Sequence, residues 1–394
     1  MNKMTAVVAL MAVFTLAITF IILGSISSDL MEALQIDEGQ FGSLIMGLFL
    51  TSCIVQLIIG PLVDKFGYKP VAIIGFIVTS GSIFLLAFAM SFNAALFACI
   101  LLGIGAMSLN TVGNTLIPVV LFDGKDPARA SNFGNAFFGL GYVSAPFLFT
   151  LFMQKMDMSY SASLSVFGVI VLIFLIFAVT SSYPKVPIGF NFGKALSLLA
   201  KGPVLIAALA LFCYMSLEIS MGSWIRRLME ELFGSSLAAD TVSFRAGMVL
   251  SLFGVAMMVG RFLSSTIKNL TAMGVKLIAA MSVVSCVAIV LMMVTKTPGL
   301  AIVAIVLAGL AFAPIFPTVV GVTFAKYDAS LYGSIFGIIF AVGLLGGTFV
   351  PKYIGNLSAT GTVQGSLTIA AVMAGLLFII ALIMSAAGKK TQAE

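Results

Sequence analysis

Long apolar stretches recur along the whole chain and are separated by short polar breaks. Each stretch is long enough, at about 20 residues, for a helix to cross the hydrocarbon core of a bilayer. Because helices satisfy their own backbone hydrogen bonds in lipid, the pattern predicts spanning helices rather than open strands. We count twelve spans, at residues 5–26, 41–63, 71–90, 94–121, 132–153, 162–181, 203–225, 242–264, 274–294, 299–324, 332–354 and 365–387.

The composition agrees with this pattern. Of the 394 residues, 61% are hydrophobic and only 9% are charged, whereas soluble domains carry about 25% charged residues. The first apolar stretch is too long for the core of a signal peptide and lacks a small-residue cleavage pattern, so we expect it to stay as the first span. The sequence therefore predicts an all-α polytopic membrane protein.

The longest polar break, residues 181–202, falls near the middle of the chain. It predicts a six-helix bundle at 1–181, a cytoplasmic linker at 182–202 and a second six-helix bundle at 203–394. Two stretches of the first half are echoed in the second by their aromatic, glycine and proline positions, 103–120 by 307–324 and 135–147 by 334–351.

Repeated six-span halves are typical of secondary transporters, whose substrate site lies near the membrane midplane between the repeats. A simpler interpretation is that glycine and proline recur wherever membrane helices pack closely. The span number, the central linker and the loop charges all favour the repeat.

Lysine and arginine positions predict the orientation, because cytoplasmic loops carry an excess of them. With both termini cytoplasmic, fourteen of the twenty basic residues lie inside and six outside. The first outer loop, residues 27–40, carries four acids and no base. We therefore expect a multi-pass protein of the inner (plasma) membrane, and the net charge of +6 follows from topology rather than from nucleic-acid binding.

Several kinds of chemistry are excluded by what the sequence lacks. It contains no histidine, and its four cysteines all lie inside apolar stretches, where they act as small packing residues. No phosphate-binding loop, nucleophile elbow, zinc pattern or dinucleotide fingerprint occurs. We therefore expect no enzyme activity, no metal site and no cofactor other than a coupling ion, H⁺ or Na⁺.

One acid lies deep in a span. Glu218 is about fifteen residues into the seventh span, or roughly 22 Å from its start. A charge near the bilayer centre costs at least about 2.5–3.5 kcal/mol, so such residues usually face an aqueous path. Glu218 is thus a candidate for coupling or for binding substrate hydroxyls, with Tyr214 and Trp224 as neighbouring rings. The alternative is a structural ion pair, for example with Arg261, or a hydrogen bond to an asparagine.

Amides supply further candidates. Asn110 and Asn114 lie one turn apart on the fourth span, and Asn135 lies in the fifth. Amides donate and accept at once, which suits a polyol, but asparagines also join membrane helices to one another. Weaker candidates for substrate binding are Gln56, Tyr142 and Phe316, the last of which lies where two prolines interrupt the tenth span.

The loop "GPLVDKFGYKP" at residues 60–70 resembles the signature loop of the major facilitator superfamily. The matching positions are Gly60, Asp64, Lys65, Gly67 and Lys69. The resemblance implies twelve helices in two pseudo-symmetric bundles, and a gating role for this loop as a latch of the outward-open state.

The second-half counterpart of this loop, residues 260–276, keeps Gly260 and Arg261 but contains no acid. We therefore assign Arg261 to gating and expect the latch to be asymmetric.

Shorter matches resemble one branch of that superfamily, the fucose–galactose–glucose symporters, which include the L-fucose permease. They are Gly103, Gly105, Asn110 and Asn114; Asn132, Phe137, Phe138, Gly139, Gly141 and Pro146; Phe212, Tyr214, Glu218, Ser220, Gly222 and Trp224; and residues 313–318. The resemblance implies sugar transport coupled to a cation. In that permease a carboxylate that handles protons aligns with Asn110, which carries no titratable proton here. A first-span acid has only Asp29 as an approximate counterpart, nearer the outer end.

The sequence thus predicts a secondary active transporter that moves a monosaccharide by alternating access, coupled to H⁺ or Na⁺ through Glu218, with Asp29 a second coupling candidate. We expect a monomer in contact with membrane lipid. The alternatives are a proton-driven exporter of amphipathic drugs or metabolites and an uncoupled sugar uniporter.

Overall fold

A computed structural model describes residues 3–184, 197–234, 239–358 and 360–391. Most of the predicted linker, residues 185–196, lies outside the described residues. The described residues form helices and no strand, as the apolar pattern predicts. The α-helices of the described residues are α1 (Lys3–Ser25), α2 (Ser27–Leu34), α3 (Glu38–Phe66), α4 (Tyr68–Ala87), α5 (Phe92–Val120), α6 (Pro127–Thr150), α7 (Tyr160–Thr180), α8 (Gly202–Phe233), α9 (Ala239–Ser265), α10 (Leu270–Val294), α11 (Pro298–Phe312), α12 (Ile315–Phe324), α13 (Tyr332–Ser358), α14 (Val363–Ser366) and α15 (Thr368–Thr391).

Local sequence signals start several of these helices. Asp37 accepts a hydrogen bond from the Gln40 backbone, and the Gln40 side chain accepts one from the Asp37 backbone, a complete capping box at α3. Ser91 caps α5 and Ser159 caps α7, and each serine side chain accepts one hydrogen bond from a backbone N–H of the first turn. Pro298 is the first residue of α11, a position whose N–H has no partner in the helix anyway.

Twelve helical stretches among the described residues are long and apolar enough to cross a membrane, which confirms the predicted number. Many of their large apolar side chains point away from the protein interior, among them Ile54, Phe147 and Val303. In water such a surface would be unstable, whereas lipid tails solvate it.

The described residues form two compact units. The first comprises Met1–Lys125, Phe137–Leu196 and Asp328–Gly337. The second comprises Asp126–Ala136, Ser197–Tyr327 and Ile338–Glu394. Each unit is therefore built mainly from one half of the sequence, with one short helix start taken from the other half. The sequence predicts bundles at 1–181 and 203–394. The units differ from these bundles at residues 126–136, which belong to the second unit, and at residues 328–337, which belong to the first.

Candidate functional site

The deep acid of the seventh span is paired with an arginine inside the second unit. The Arg261 Nη2 atom lies 3.1 Å from the Glu218 Oε1 atom, joining α9 to α8. The Arg261 side chain is only 4% exposed, while the Glu218 side chain is 27% exposed. The carboxylate is therefore the accessible member of the pair, and the guanidinium that binds it is buried.

Three more acceptors surround Arg261. Its Nη2 atom donates to the Tyr214 hydroxyl at 3.2 Å, and its Nη1 atom to the backbone oxygen of Asn135 at 3.4 Å. The Nε atom donates to the backbone oxygen of Ala313 at 3.3 Å. Because a guanidinium stays charged and has donors in a fixed fork, this arrangement fixes the position of the Glu218 carboxylate.

The interrupted tenth span explains why the Ala313 oxygen is free to accept. In a continuous helix the N–H four residues later would bind it. That residue is Pro317, which has no N–H, so the bond is missing at the junction of α11 and α12. Arg261 takes the vacant acceptor. Pro317, one of the two prolines that interrupt the span, thus leaves the Ala313 oxygen as an acceptor for the buried Arg261.

Aromatic rings continue the cluster. The rings of Tyr214 and Phe316 lie 6.0 Å apart, and Phe316 meets Phe340 edge to face at the same distance. We define the Arg261 cluster as Asn135, Tyr214, Glu218, Arg261 and Phe316. It offers one partly exposed carboxylate, which can accept hydroxyl hydrogen bonds, while the rings of Tyr214 and Phe316 are buried.

The structure thus brings together four predicted binding residues and one predicted gating residue. Arg261, whose position in the loop repeat predicts a gating role, lies in this cluster as the partner of Glu218. The ion pair considered as a structural alternative for Glu218 is the geometry found. An arginine flanked by apolar residues of the eighth span was the signal in the sequence.

Trp224 is engaged elsewhere in the second unit. Its indole Nε1 donates to the backbone oxygen of Pro351 at 3.1 Å, and its ring lies over Gly355, where a Cβ atom would come within 2.8 Å of it. These contacts pack α8 against α13. A role for Trp224 in substrate binding stays a prediction.

In the first unit, predicted amide ligands form a buried ladder. Gln56 Nε2 donates to the Thr111 hydroxyl at 3.1 Å, Asn110 Nδ2 to Gln56 Oε1 at 3.2 Å, and Asn114 Nδ2 to Asn110 Oδ1 at 2.9 Å. All four side chains are buried. The bonds join α3 to α5, which favours the interhelical interpretation; substrate contact by these amides stays a prediction.

Replacing Asn110 by alanine is expected to lower the free energy of unfolding by about 1–3 kcal/mol, because it removes the buried hydrogen bonds that the Asn110 side chain makes with Gln56 and Asn114. Thermal unfolding in detergent measures this. The matched control is Asn93→Ala, an exposed amide on the same helix, which should change stability little. Unchanged stability together with a raised KM for transport would instead assign Asn110 to the substrate.

Two remaining candidates lie at more exposed places in the first unit. Tyr142 is 40% exposed, and its ring stacks on Phe138 at 6.1 Å. Asp29 lies in the first turn of α2 and is partly exposed. Neither position tests the predicted role, substrate binding for Tyr142 and coupling for Asp29.

The predicted gating loop holds the start of α13 within the first unit. The Asp64 carboxylate accepts hydrogen bonds from the backbone of Gly333 and Ser334 at 2.8 and 2.7 Å, and from the Ser334 hydroxyl. A carboxylate at a helix N-terminus satisfies unpaired N–H groups and the helix dipole. A Cβ atom on Gly60 would lie 2.3 Å from the Gly333 oxygen, so only glycine permits this approach.

The rest of the loop is a tight turn. Gly67 joins α3 to α4 with a φ of 84°, a conformation that favours glycine. Lys65 and Lys69 are exposed beside it. Among the described residues, no group of three or more His, Cys, Asp or Glu could hold a metal ion.

Comparisons with known proteins agree with this architecture. The model of the Major Facilitator Superfamily matches residues 8–351. No curated protein matches the chain by sequence.

Solved structures are similar over nearly the whole chain. The crystal structure of FucP, the E. coli fucose:proton symporter, in its outward conformation has a TM-score of 0.79 at 18% identity, covering 96% of this chain and 98% of that one. The human organic anion transporter MFSD10 gives 0.73 at 17%, covering 96% and 98%. The proton:xylose symporter XylE gives 0.72 at 15%, covering 97% and 94%. At these identities the likeness establishes the fold alone.

Proposed function

Because the chain belongs to the major facilitator superfamily, and is therefore a membrane transporter rather than an enzyme, we propose that it is a cation-coupled symporter for a monosaccharide. The observation that carries the proposal is the partly exposed Glu218 carboxylate paired with the buried Arg261. We place the protein in the inner membrane with both termini cytoplasmic, on the distribution of its basic residues.

The charges of the Arg261 cluster favour a neutral, hydroxyl-bearing substrate. The accessible group is an acceptor with negative charge, which attracts hydroxyl donors and repels anions. Arg261, which would attract an anion, is 4% exposed and donates to four acceptors already. The rings of Tyr214 and Phe316 are buried and pack on each other, so the carboxylate is the accessible group of the cluster. A drug exporter would need a broad apolar cavity more than this set of polar groups.

The similar structures add support of a weaker kind. Two of them are sugar:proton symporters, for fucose and for xylose, while a third transports organic anions. The fold serves all of these substrates, so the choice of a sugar rests on the chemistry of the cluster and on the short sequence matches.

Coupling is proposed to use the same ion pair. While Glu218 is ionised, the attraction of Arg261 holds the carboxylate in place. A cation that neutralises the carboxylate, H⁺ or Na⁺, removes that attraction and frees the side chain. Binding of the ion and rearrangement of the site are then linked, which is the requirement for coupled transport.

Uptake of labelled hexoses and pentoses into proteoliposomes, with imposed pH or sodium gradients, tests the proposal. We expect at least one sugar to accumulate above its external concentration when one of the gradients is present, and only to equilibrate without it. Liposomes containing no protein are the control. Equilibration that no gradient changes would indicate a uniporter. Absence of sugar uptake and binding, with gradient-driven efflux of amphipathic dyes, would replace the proposal by the exporter.

A further inference from the structure

The Tyr214 hydroxyl is enclosed by its partners in the second unit. Tyr214 is 0% exposed, whereas the Glu218 side chain, one turn further along α8, is 27% exposed. The Tyr214 ring packs on Phe316 at a centroid distance of 6.0 Å, which holds the hydroxyl in place. Because a buried phenol presents no surface to a solute, its position favours a role exerted through Glu218 over the substrate contact that the sequence predicts.

One guanidinium nitrogen binds both of these side chains. The Arg261 Nη2 atom donates to the Tyr214 hydroxyl at 3.2 Å and to Glu218 Oε1 at 3.1 Å. The Nε and Nη1 atoms of Arg261 donate to the backbone oxygens of Ala313 and Asn135. Glu218 thus shares a nitrogen with Tyr214, in contrast to the two parallel bonds of a bidentate arginine–carboxylate pair. A cation competes more easily with such a shared contact than with a bidentate one.

Tyr214 also binds the carboxylate directly. Besides accepting from Arg261, its hydroxyl makes a hydrogen bond with the Glu218 side chain. An ionised carboxylate has no proton to give, so the phenol is the donor in this bond. Because the phenol oxygen accepts from a cation at the same time, its O–H group is polarised and donates more strongly. The phenol therefore stabilises the ionised form of Glu218.

Few other titratable groups come near the Glu218 carboxylate from the helices of this unit. The helices α11, α12 and α14 contain none, and α15 contains none before its last turn. The other described charged side chains of α8 and α9 lie toward the helix ends, at residues 226–231 and at Arg245. On α13, Lys352 and Tyr353 are exposed. The phenol and the guanidinium are therefore the described groups that act on this carboxylate.

We propose that Tyr214 is a positioning residue that sets how tightly Glu218 binds the coupling ion, and that it is not a ligand of the substrate. The inference rests on the coupling role proposed for Glu218. With the hydroxyl in place, the ionised carboxylate has two donors, and a cation must compete with both. Without the hydroxyl, the carboxylate is less well compensated and binds the cation more tightly. The hydroxyl thus keeps the binding of the ion readily reversible.

Thermal unfolding of the full chain in detergent tests this inference without any sugar, since an ion that binds the native state stabilises it. The protein is titrated with NaCl, at an ionic strength held constant by choline chloride, and separately with pH. The response that Glu218→Gln removes identifies the ion that binds at Glu218. Tyr214→Phe is expected to lower the half-saturating concentration of that ion about tenfold, because it removes a charge-assisted hydrogen bond to the carboxylate.

Two further variants show whether the hydroxyl is the cause. Tyr183→Phe is the matched control, because it removes a tyrosine hydroxyl that donates to the Ala178 backbone oxygen in the first unit, and its half-saturating concentration should equal that of the parent. Replacing Tyr214 by para-aminophenylalanine, inserted through a stop codon, keeps a donor at this place. It should bring the half-saturating concentration back toward the parent value, and it keeps the test usable if Tyr214→Phe does not fold.

Sugar counterflow at a saturating ion concentration gives the second measurement. We expect Tyr214→Phe to change the KM for sugar far less than the half-saturating concentration of the ion. An unchanged ion concentration in Tyr214→Phe would overturn the inference, whether or not the KM for sugar rises. A parent that responds to the ion but transports no sugar would refute only the sugar assignment. A response that survives in Glu218→Gln would refute the coupling role of Glu218, and the inference with it.

Discussion

Glu218→Gln is expected to lower gradient-driven sugar accumulation by at least about tenfold while sugar counterflow continues. Glutamine keeps the shape and an acceptor oxygen, but it carries no charge to bind Na⁺ and takes up no proton at physiological pH. Exchange of sugar for sugar needs no net movement of the ion, whereas accumulation does. The two measurements on the same proteoliposomes therefore separate coupling from substrate binding.

The chain offers a close control for this variant. Glu230 lies on the same helix, α8, has a side chain 25% exposed, and is also paired with arginines, Arg226 and Arg227. Glu230→Gln should leave both activities unchanged. If Glu218→Gln also leaves both unchanged, Glu218 is structural. Loss of counterflow together with accumulation would show that substrate binding itself needs the charge of Glu218.

Arg261→Met is expected to lower the free energy of unfolding by about 3 kcal/mol or more, because breaking a buried ion pair leaves its partners unsatisfied. The Glu218 carboxylate would lose its counter-charge, and the hydrogen bonds from Arg261 to the backbone oxygens of Asn135 and Ala313 would be lost. Methionine fills a similar volume, so the loss of polar contacts dominates. Thermal unfolding in detergent measures the change.

A double-mutant cycle identifies the cause. Combining Arg261→Met with Glu218→Gln should recover part of the stability, since the unpaired carboxylate is removed. Arg245→Met, at an exposed position on the same helix, should cost little. Additive losses in the double variant would show that Arg261 and Glu218 do not interact, and the coupling proposal would then lose its structural basis.

The spans could be predicted from the sequence because each depends on a local property. A run of about 20 apolar residues is sufficient for a membrane helix, whatever the rest of the chain does. Helix starts follow the same logic: Ser91 and Ser159 cap α5 and α7 with bonds to residues three positions away. The loop from Gly60 to Lys69 indicates the superfamily because all the residues of its motif lie within one short stretch of the sequence.

The partners of the polar residues could not be predicted in the same way. The sequence marks Glu218 by its depth and Arg261 by its place in a repeat, which predicts gating, whereas the structure pairs Arg261 with Glu218. Asn110 and Asn114 were proposed to bind substrate, and the structure engages them with each other and with Gln56.

The sequence by itself therefore determined the twelve spans, the superfamily and the presence of one deep acid, because each is encoded in neighbouring residues. Only the tertiary structure decided what that acid meets, since Glu218 and Arg261 are 43 positions apart. The physical reason is that a buried polar group must be satisfied by whichever donor or acceptor packing brings to it, and that choice is made between helices, not along them.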